Sequence, residues 1–370
     1  MPSSPPEPHQ LEISVFGPGM GECIVAHLGD GDWIVVDSCL DTNSREPIAL
    51  DYLKSMDIDV SSAVKLVVAT HWHDDHIKGL AKVLRTAEGA KFVESIVFDQ
   101  KLLMRLAKAG AMMGANASAT DEYSAIFDIL LARQQKGENP KTVGPFRAIA
   151  NKPLLSLSTG RTVKAEVVAL SPSDGTYNRA QTDLLEAIRF VTRERRRPAS
   201  RQGPNQLCVA LWLKVGEVRT ILGADLEHAA GITEGWNAIV NSGERPQGQA
   251  EIFKVPHHGS LNAHSQECWT DLLRGRPIAV LTPYSPSKLP SQADIDRLCK
   301  QTNQLFVTGD HGRYKVPRLN QSVEKTLRES KVKRRALEGR MGHVRIRVDA
   351  REPNLLPTVE LFNGAEPKCS

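Results

Sequence analysis

Over residues 11–16 the chain reads Leu-Glu-Ile-Ser-Val-Phe, apolar and polar in alternation, which predicts a half-buried strand. Residues 23–28 and 33–36 predict two more short strands, joined by the hairpin-type turn Gly29-Asp30-Gly31-Asp32. Ile48, Leu50, Tyr52 and Leu53 then give helical spacing within 47–56. The unbroken apolar run 64–69 predicts a strand covered on both faces. It delivers the chain into Thr70-His71-Trp72-His73-Asp74-Asp75-His76, after which helical character returns over 77–86.

The middle is less regular. Residues 100–135, rich in Ala and Leu, predict two helices around a loop at 114–119; 163–170 predicts a strand and 183–196 a helix ending in a basic run. Further strands are predicted at 207–215, 219–223, 252–255, 278–281, 305–308, 343–348 and 358–362, and no repeat of 20–50 residues is visible. Strands in runs, with helices between the groups, imply an α+β chain of two helix-covered sheets rather than one doubly wound sheet.

Composition narrows the class. With 41% apolar and 24% charged residues and a mean hydropathy of −0.30, the chain reads as globular and water-soluble. No apolar run approaches the roughly 18–20 residues that span a bilayer, so no membrane association is expected. Residues 1–10, rich in Pro and Ser, lack the basic and apolar regions of a secretory signal and are expected to be a disordered lead-in. The six cysteines form no C-x-x-C pair, which argues against a zinc ribbon or redox dithiol. A reducing compartment fits such scatter best, so the expected location is cytoplasmic.

Three of the eleven histidines fall at 71, 73 and 76. Neither helix nor strand periodicity points all the groups of His-x-His-x-Asp-His one way, so the segment must be a loop. Such a loop can aim His71 and His73 at one metal ion while Asp75 and His76 serve a second, since imidazole and carboxylate suit divalent cations in hydrolytic sites. The bland alternative is a solvated polar loop, which the strand before it and Gly79 after it disfavour. Downstream, Asp225 follows a predicted strand and can bridge two cations; taken alone, it reads as a helix N-cap. His257 and His258 follow another strand and precede Gly259-Ser260.

These segments resemble the metallo-β-lactamase-fold hydrolases, over about residues 11–362 with inserts. The segment Thr70 to Leu80 is the most specific part. Lys254-Val255-Pro256-His257-His258-Gly259-Ser260, Gly17-Pro18-Gly19-Met20-Gly21-Glu22-Cys23, Val35-Val36-Asp37, Leu170-Ser171-Pro172, Asn205 and Thr308-Gly309-Asp310 resemble the hydrolase domains of the competence protein ComEC and its relatives. The resemblance implies a four-layer αββα sandwich with the site at one edge of the two sheets. One such domain over 11–370, with helical inserts near 99–150 and 176–203, accounts for the length. No histidine occurs between residues 77 and 227, where better-known relatives carry a further ligand; the ComEC-like branch often lacks it.

The resemblance implies a first metal held by His71, His73 and Asp225, with water or Asp174 completing it. Asp174 otherwise reads as a turn residue. A second metal would take Asp75, His76, Asp225 and a histidine of the 257–258 pair, with His257 favoured. Asp37 would orient a ligand imidazole. Two divalent ions, Zn expected and Mn or Fe acceptable, would activate a bridging hydroxide. His258 is expected to protonate the leaving group, with Ser260 the weaker candidate.

Charge supports a phosphodiester. The net charge is only +4, but Arg193, Arg195, Arg196, Arg197 and Arg201 with Glu194 hold +4. Lys325, Arg328, Lys331, Lys333, Arg334, Arg335 and Arg340, against Glu329 and Glu338, hold +5, which leaves the rest of the chain at −5. Such runs can neutralise phosphates, so a nucleic-acid partner is expected through them; as plain helix faces they would only be solvated. The expected activity is a metal-dependent phosphodiesterase or nuclease. The alternatives are a small-molecule ester, lactone, thioester or cyclic-nucleotide hydrolase, and a nucleic-acid-binding protein with an idle metal site.

Overall fold

The computed structural model describes residues 4–17, 21–95, 117–180, 182, 204–229, 231–309, 320–330, 341–352 and 356–369. In chain order its strands are β1 (Gln10–Phe16), β2 (Cys23–Leu28), β3 (Trp33–Val36), β4 (Val64–Ala69), β5 (Lys91–Glu94), β6 (Phe146–Arg147), β7 (Lys152–Leu157) and β8 (Ala165–Ala169). They continue as β9 (Leu211–Val215), β10 (Val218–Leu222), β11 (Ala250–Lys254), β12 (Leu273–Leu281), β13 (Leu305–Val307), β14 (His343–Asp349), β15 (Thr358–Phe362) and β16 (Glu366–Pro367). The periodicity did not give β5, β6, β7 or β16. Two of them are two residues long, β5 is four residues with a charged residue at each end, and β7 is largely exposed and interrupted by Pro153, so none carries a clean apolar pattern.

The strands form two eight-stranded sheets, ordered β15-β14-β1-β2-β3-β4-β5-β6 and β16-β13-β12-β11-β10-β9-β8-β7. Each sheet has an antiparallel part and a parallel part. The parallel runs are β3 to β6 in the first and β10 to β13 in the second.

Alternation along the strands decides the layers. Leu11, Ile13 and Val15 of β1 face a core between the sheets, where they meet Leu211, Leu213 and Val215 of β9. Phe16, Val25 and Trp33 take the other face and pack under the helices Ile48–Lys54 and Leu80–Thr86. Beyond the second sheet, Trp212, Ile221 and Phe253 pack against Trp236 of helix Gly235–Val240 and Leu298 of helix Gln292–Cys299. At roughly 1.5–3 kcal/mol for each fully buried large apolar side chain, the middle core locks the sheets into one packing unit. The result is the expected four-layer αββα sandwich.

Two expectations need correction. Residues 4–9 are tied down rather than loose: Arg347 donates to Ser4 O (2.8 Å), Asp30 N to Pro8 O (2.8 Å) and Ala350 N to His9 O (3.0 Å). The acceptors are all backbone carbonyls, which leave no mark on composition. The cysteines are not all free either. Cys299 and Cys369 form a disulfide with Cα atoms 5.5 Å apart, while Cys23, Cys39, Cys208 and Cys268 are buried thiols. Pairing of β16 with β13 brings the C-terminal segment back to this region, which spacing alone could not show. The bond removes the cysteine argument for a reducing compartment.

Of the expected 100–135 pair, the second helix is Ala117–Gln135. Residues 96–116, 183–203 (with Arg193 to Arg201) and 331–340 lie outside the described residues, although helix Gln321–Glu329 precedes the last of these. No helix among the described residues is long and apolar enough to cross a membrane.

Candidate metal centre

The loops that leave the C-terminal ends of β3, β4, β10, β11 and β12 converge at one edge of the sandwich. After β4 the chain stays extended through His73 and then makes one helical turn, Asp74–Ile77, which swings His76 back beside His71. Gly79, at φ +88°, separates that turn from helix Leu80–Thr86, and a Cβ there would lie 2.6 Å from Leu40 Cδ2. Glu122 of helix Ala117–Gln135 accepts from Gly79 N (2.8 Å) and Ala81 N (3.1 Å), so this insert helix buttresses the motif from behind.

The second sheet completes the cluster. Asp225, 2% exposed, follows β10 and Ala224, which has φ +45°. Its Oδ2 lies 3.4 Å from His76 Nε2, 3.7 Å from His258 Nε2 and 4.0 Å from His71 Nε2. Asp75 Oδ2 lies 3.7 Å from His76 Nε2 and 3.6 Å from His258 Nε2. His71 Nε2 and His73 Nδ1 face each other at 3.0 Å. Among the described residues, three groups have ligand atoms within 4.8 Å of one another: Asp75-His76-Asp225-His258 and His71-His73-Asp225, which are the two donor groups sharing Asp225, and Asp37-His71-His76 behind them.

One placement differs from the sequence reading. His258, not the favoured His257, joins the cluster. Both residues have left-handed backbones, at φ +46° and +54°. That conformation is costly for non-glycine residues and sends the neighbouring rings apart. His258 Nδ1 is held by the carbonyl and hydroxyl of Thr282, both at 3.1 Å, and Tyr284 stacks on its ring. His257 turns to a polar group instead: Nε2 lies 3.2 Å from Asn205 Nδ2, and Nδ1 lies 3.2 Å from Asn262 Oδ1 and from Ser260 Oγ and 3.4 Å from Glu227 Oε1. Asp174 is exposed and belongs to neither donor group.

Behind the cluster, Asp37 accepts from Thr70 N (2.8 Å) and Thr70 Oγ1 (2.7 Å) and meets His76 Nδ1 at 2.7 Å. His76 therefore points Nε2 into the cluster. Thr70 Oγ1 also reaches His71 Nδ1 (3.0 Å), so one buried carboxylate orients two imidazoles.

Burial holds His71 well below the usual imidazole range, with the neighbouring His76 and His73 adding to it, and burial likewise lowers His73. Both rings keep lone pairs to donate. Burial opposes charge on His76 as well, but the carboxylates of Asp225, Asp75 and Asp37 together carry it well above the usual value. Against the desolvation that would raise them, Asp75 and Asp225 are pulled down chiefly by His76.

The donor set fits a divalent cation on a direct observation. His76 Nε2, His258 Nε2 and Asp225 Oδ1 are buried without a hydrogen-bond partner, and all three belong to the cluster. Such atoms are costly to leave unpaired. Nitrogen and carboxylate oxygen in this proportion suit Zn, Mn or Fe.

Sequence reasoning passed over the roles of Thr70, Glu22, Thr282, Glu227, Asn262 and Tyr284. The one available signal was Lys254, a lone cation in the apolar strand Ile-Phe-Lys-Val.

Residues 16–99 match the family model of the metallo-beta-lactamase superfamily. That segment holds Asp37 and His71 to His76 and stops before Asp225 and His258. No curated protein matches the chain by sequence. Similar solved structures include Zn(2+)-bound PqqB from Methylobacterium extorquens, at 11% identity over 78% of this chain and 85% of that one, TM-score 0.36. Another is MEM-A1, a subclass B3 metallo-beta-lactamase from a soil metagenome library, at 14% identity over 81% and 96%, TM-score 0.31. YhfI from Bacillus subtilis, a metallo-beta-lactamase fold protein, shares 10% identity over 66% and 70%, TM-score 0.28. The matched segment and the His/Asp cluster support a metal-dependent hydrolase.

Proposed function

We propose that the chain is a dinuclear metal-dependent phosphodiesterase of the ComEC-like kind, acting on DNA or RNA. The observation that carries the reading is the pair of donor groups sharing Asp225, with its orphaned nitrogens and oxygen. His71, His73 and Asp225 would hold one cation, and Asp75, His76, Asp225 and His258 the other. Bound there, two divalent cations activate water at neutral pH and stabilise negative charge on a phosphoryl oxygen.

The protein's own residues do the rest. Asp37 fixes the His76 tautomer with Nε2 as the free donor. His258 has one nitrogen on Thr282 and the other in the cluster, so His257, outside both donor groups that share Asp225, would give the leaving group its proton instead. Asn262, Ser260 and Glu227 face His257 Nδ1, and its Nε2 lies 3.2 Å from Asn205 Nδ2. Arg193 to Arg201 and Lys325 to Arg340 supply the charge that suits a polyanion.

A panel of plasmid, single-stranded DNA and RNA, incubated with and without chelator, tests the proposal. Metal-dependent cleavage that disappears in Asp75→Ala is expected. Turnover of a p-nitrophenyl ester with every polynucleotide left intact would favour the small-molecule reading.

A further inference from the structure

A second buried polar group lies directly beneath the cluster, and metal donation does not use it. Lys254, the last residue of β11, alternates with Phe253 and so points with Ile252 into the layer between the sheets. It is 1% exposed, and its ammonium meets Glu22 Oε1 at 2.6 Å; the Glu22 side chain is 1% exposed too. Buried pairs of this kind are a poor source of stability, because desolvating both ions offsets most of the attraction. Their persistence calls for another account, which their remaining contacts supply.

Each partner holds a different wall of the site. Lys254 Nζ donates to Ala224 O (3.0 Å), the carbonyl that also accepts His257 N (2.9 Å) and immediately precedes Asp225. Glu22 donates its backbone N–H to Asp75 O (2.8 Å), and its Oε2 accepts from Thr282 Oγ1 (2.6 Å). Thr282 in turn holds His258 Nδ1. One ion pair thus touches the loops that carry Asp75, Asp225 and His258, three of the four donors in the second group, and those loops come from both sheets.

We infer that Lys254 and Glu22 are positioning residues that set the spacing between the first-sheet and second-sheet halves of the metal centre. The inference rests on the metal-centre reading above. It concerns how the donors are aligned, not which residues they are.

The test compares zinc titration of the wild-type full chain with that of the double variant Glu22→Leu/Lys254→Met, which replaces both ions by apolar groups, and of Thr282→Val, which removes the hydroxyl that joins Glu22 to His258 and leaves the ion pair and the residue 282 carbonyl in place. Thermal melting of the zinc-free proteins reports folding. The cobalt-loaded proteins report ligand geometry through their visible absorption. We expect the double variant to melt cooperatively, to bind the weaker-held zinc roughly 10–100-fold less tightly and to show altered cobalt bands. Thr282→Val should move affinity in the same direction by less. Wild-type affinity and unchanged bands in both variants would overturn the inference. Should the double variant not fold, the Thr282→Val titration decides alone. Absence of zinc binding in the wild type would instead overturn the metal-centre reading on which the inference rests.

Discussion

The two sheets contribute to the site in different ways. The first sheet delivers His71, His73, Asp75 and His76 from one loop and one helical turn after β4, within six residues. The second delivers Asp225 and His258 from separate loops after β10 and β11, and Thr282 from a third after β12. The first half is a motif and the second is a product of topology. A local segment can preset its own geometry, whereas the scattered half depends on parallel strands ending at the same level. Positive-φ backbone at Ala224, His257 and His258 marks where the scattered half is forced into place.

The sharpest way to break this picture is Asp225→Ala, since Asp225 alone belongs to both donor groups. We expect loss of nearly all bound metal and a fall in cleavage of at least about a thousandfold, read by elemental analysis and a nuclease assay. Retention of both ions would show that the halves do not share a bridging carboxylate.

Next comes the pair His258→Ala and His257→Ala, which separates neighbours that the backbone turns apart. His258→Ala should lose one metal equivalent. His257→Ala should keep both and lower kcat by roughly 10²-fold, the scale of a lost general acid. The reverse pattern would restore His257 as the ligand.

A smaller effect is expected of Asp37→Asn. An amide cannot accept from Thr70 twice and from His76 as well, so metal affinity should fall roughly 10–100-fold while the fold persists. An unchanged titration would show that the first-sheet loop holds its own shape without the carboxylate.

The smallest effect on the site belongs to a histidine outside it. His27 is as buried as His76, but both its nitrogens are satisfied, by Gln10 O (2.8 Å) and Gly31 N (3.0 Å). Burial pushes its pKa down to about 4. The unfolded chain therefore takes this proton near pH 6.5 and the folded chain only near 4, so stability falls as pH drops through that window. The most His27 can add to that fall is about 3 kcal/mol. Urea unfolding of His27→Gln should show a shallower decline over the same range with metal content unchanged; parallel declines would contradict this.

Legibility in the sequence follows the same division. Strands with clean alternation, such as β1, and the continuous run of β4 were readable because the middle core demands apolar side chains there. Short or exposed strands such as β6 and β7 were not, since pairing rather than burial defines them. His71, His73, Asp75 and His76 were readable as one spacing. Asp225 became readable only beside them. The choice between His257 and His258 was not, because it turns on two left-handed residues that no residue type announces. Glu22 and Lys254 stood in plain view, yet their partnership spans two sheets and more than 200 residues of chain.

The most direct test of the account is the metal content of the purified wild-type chain after loading with zinc or manganese and desalting, measured beside His258→Ala. Two equivalents in the wild type and one in the variant are predicted. A wild-type chain that retains no stoichiometric metal, while melting as a folded protein, would contradict it.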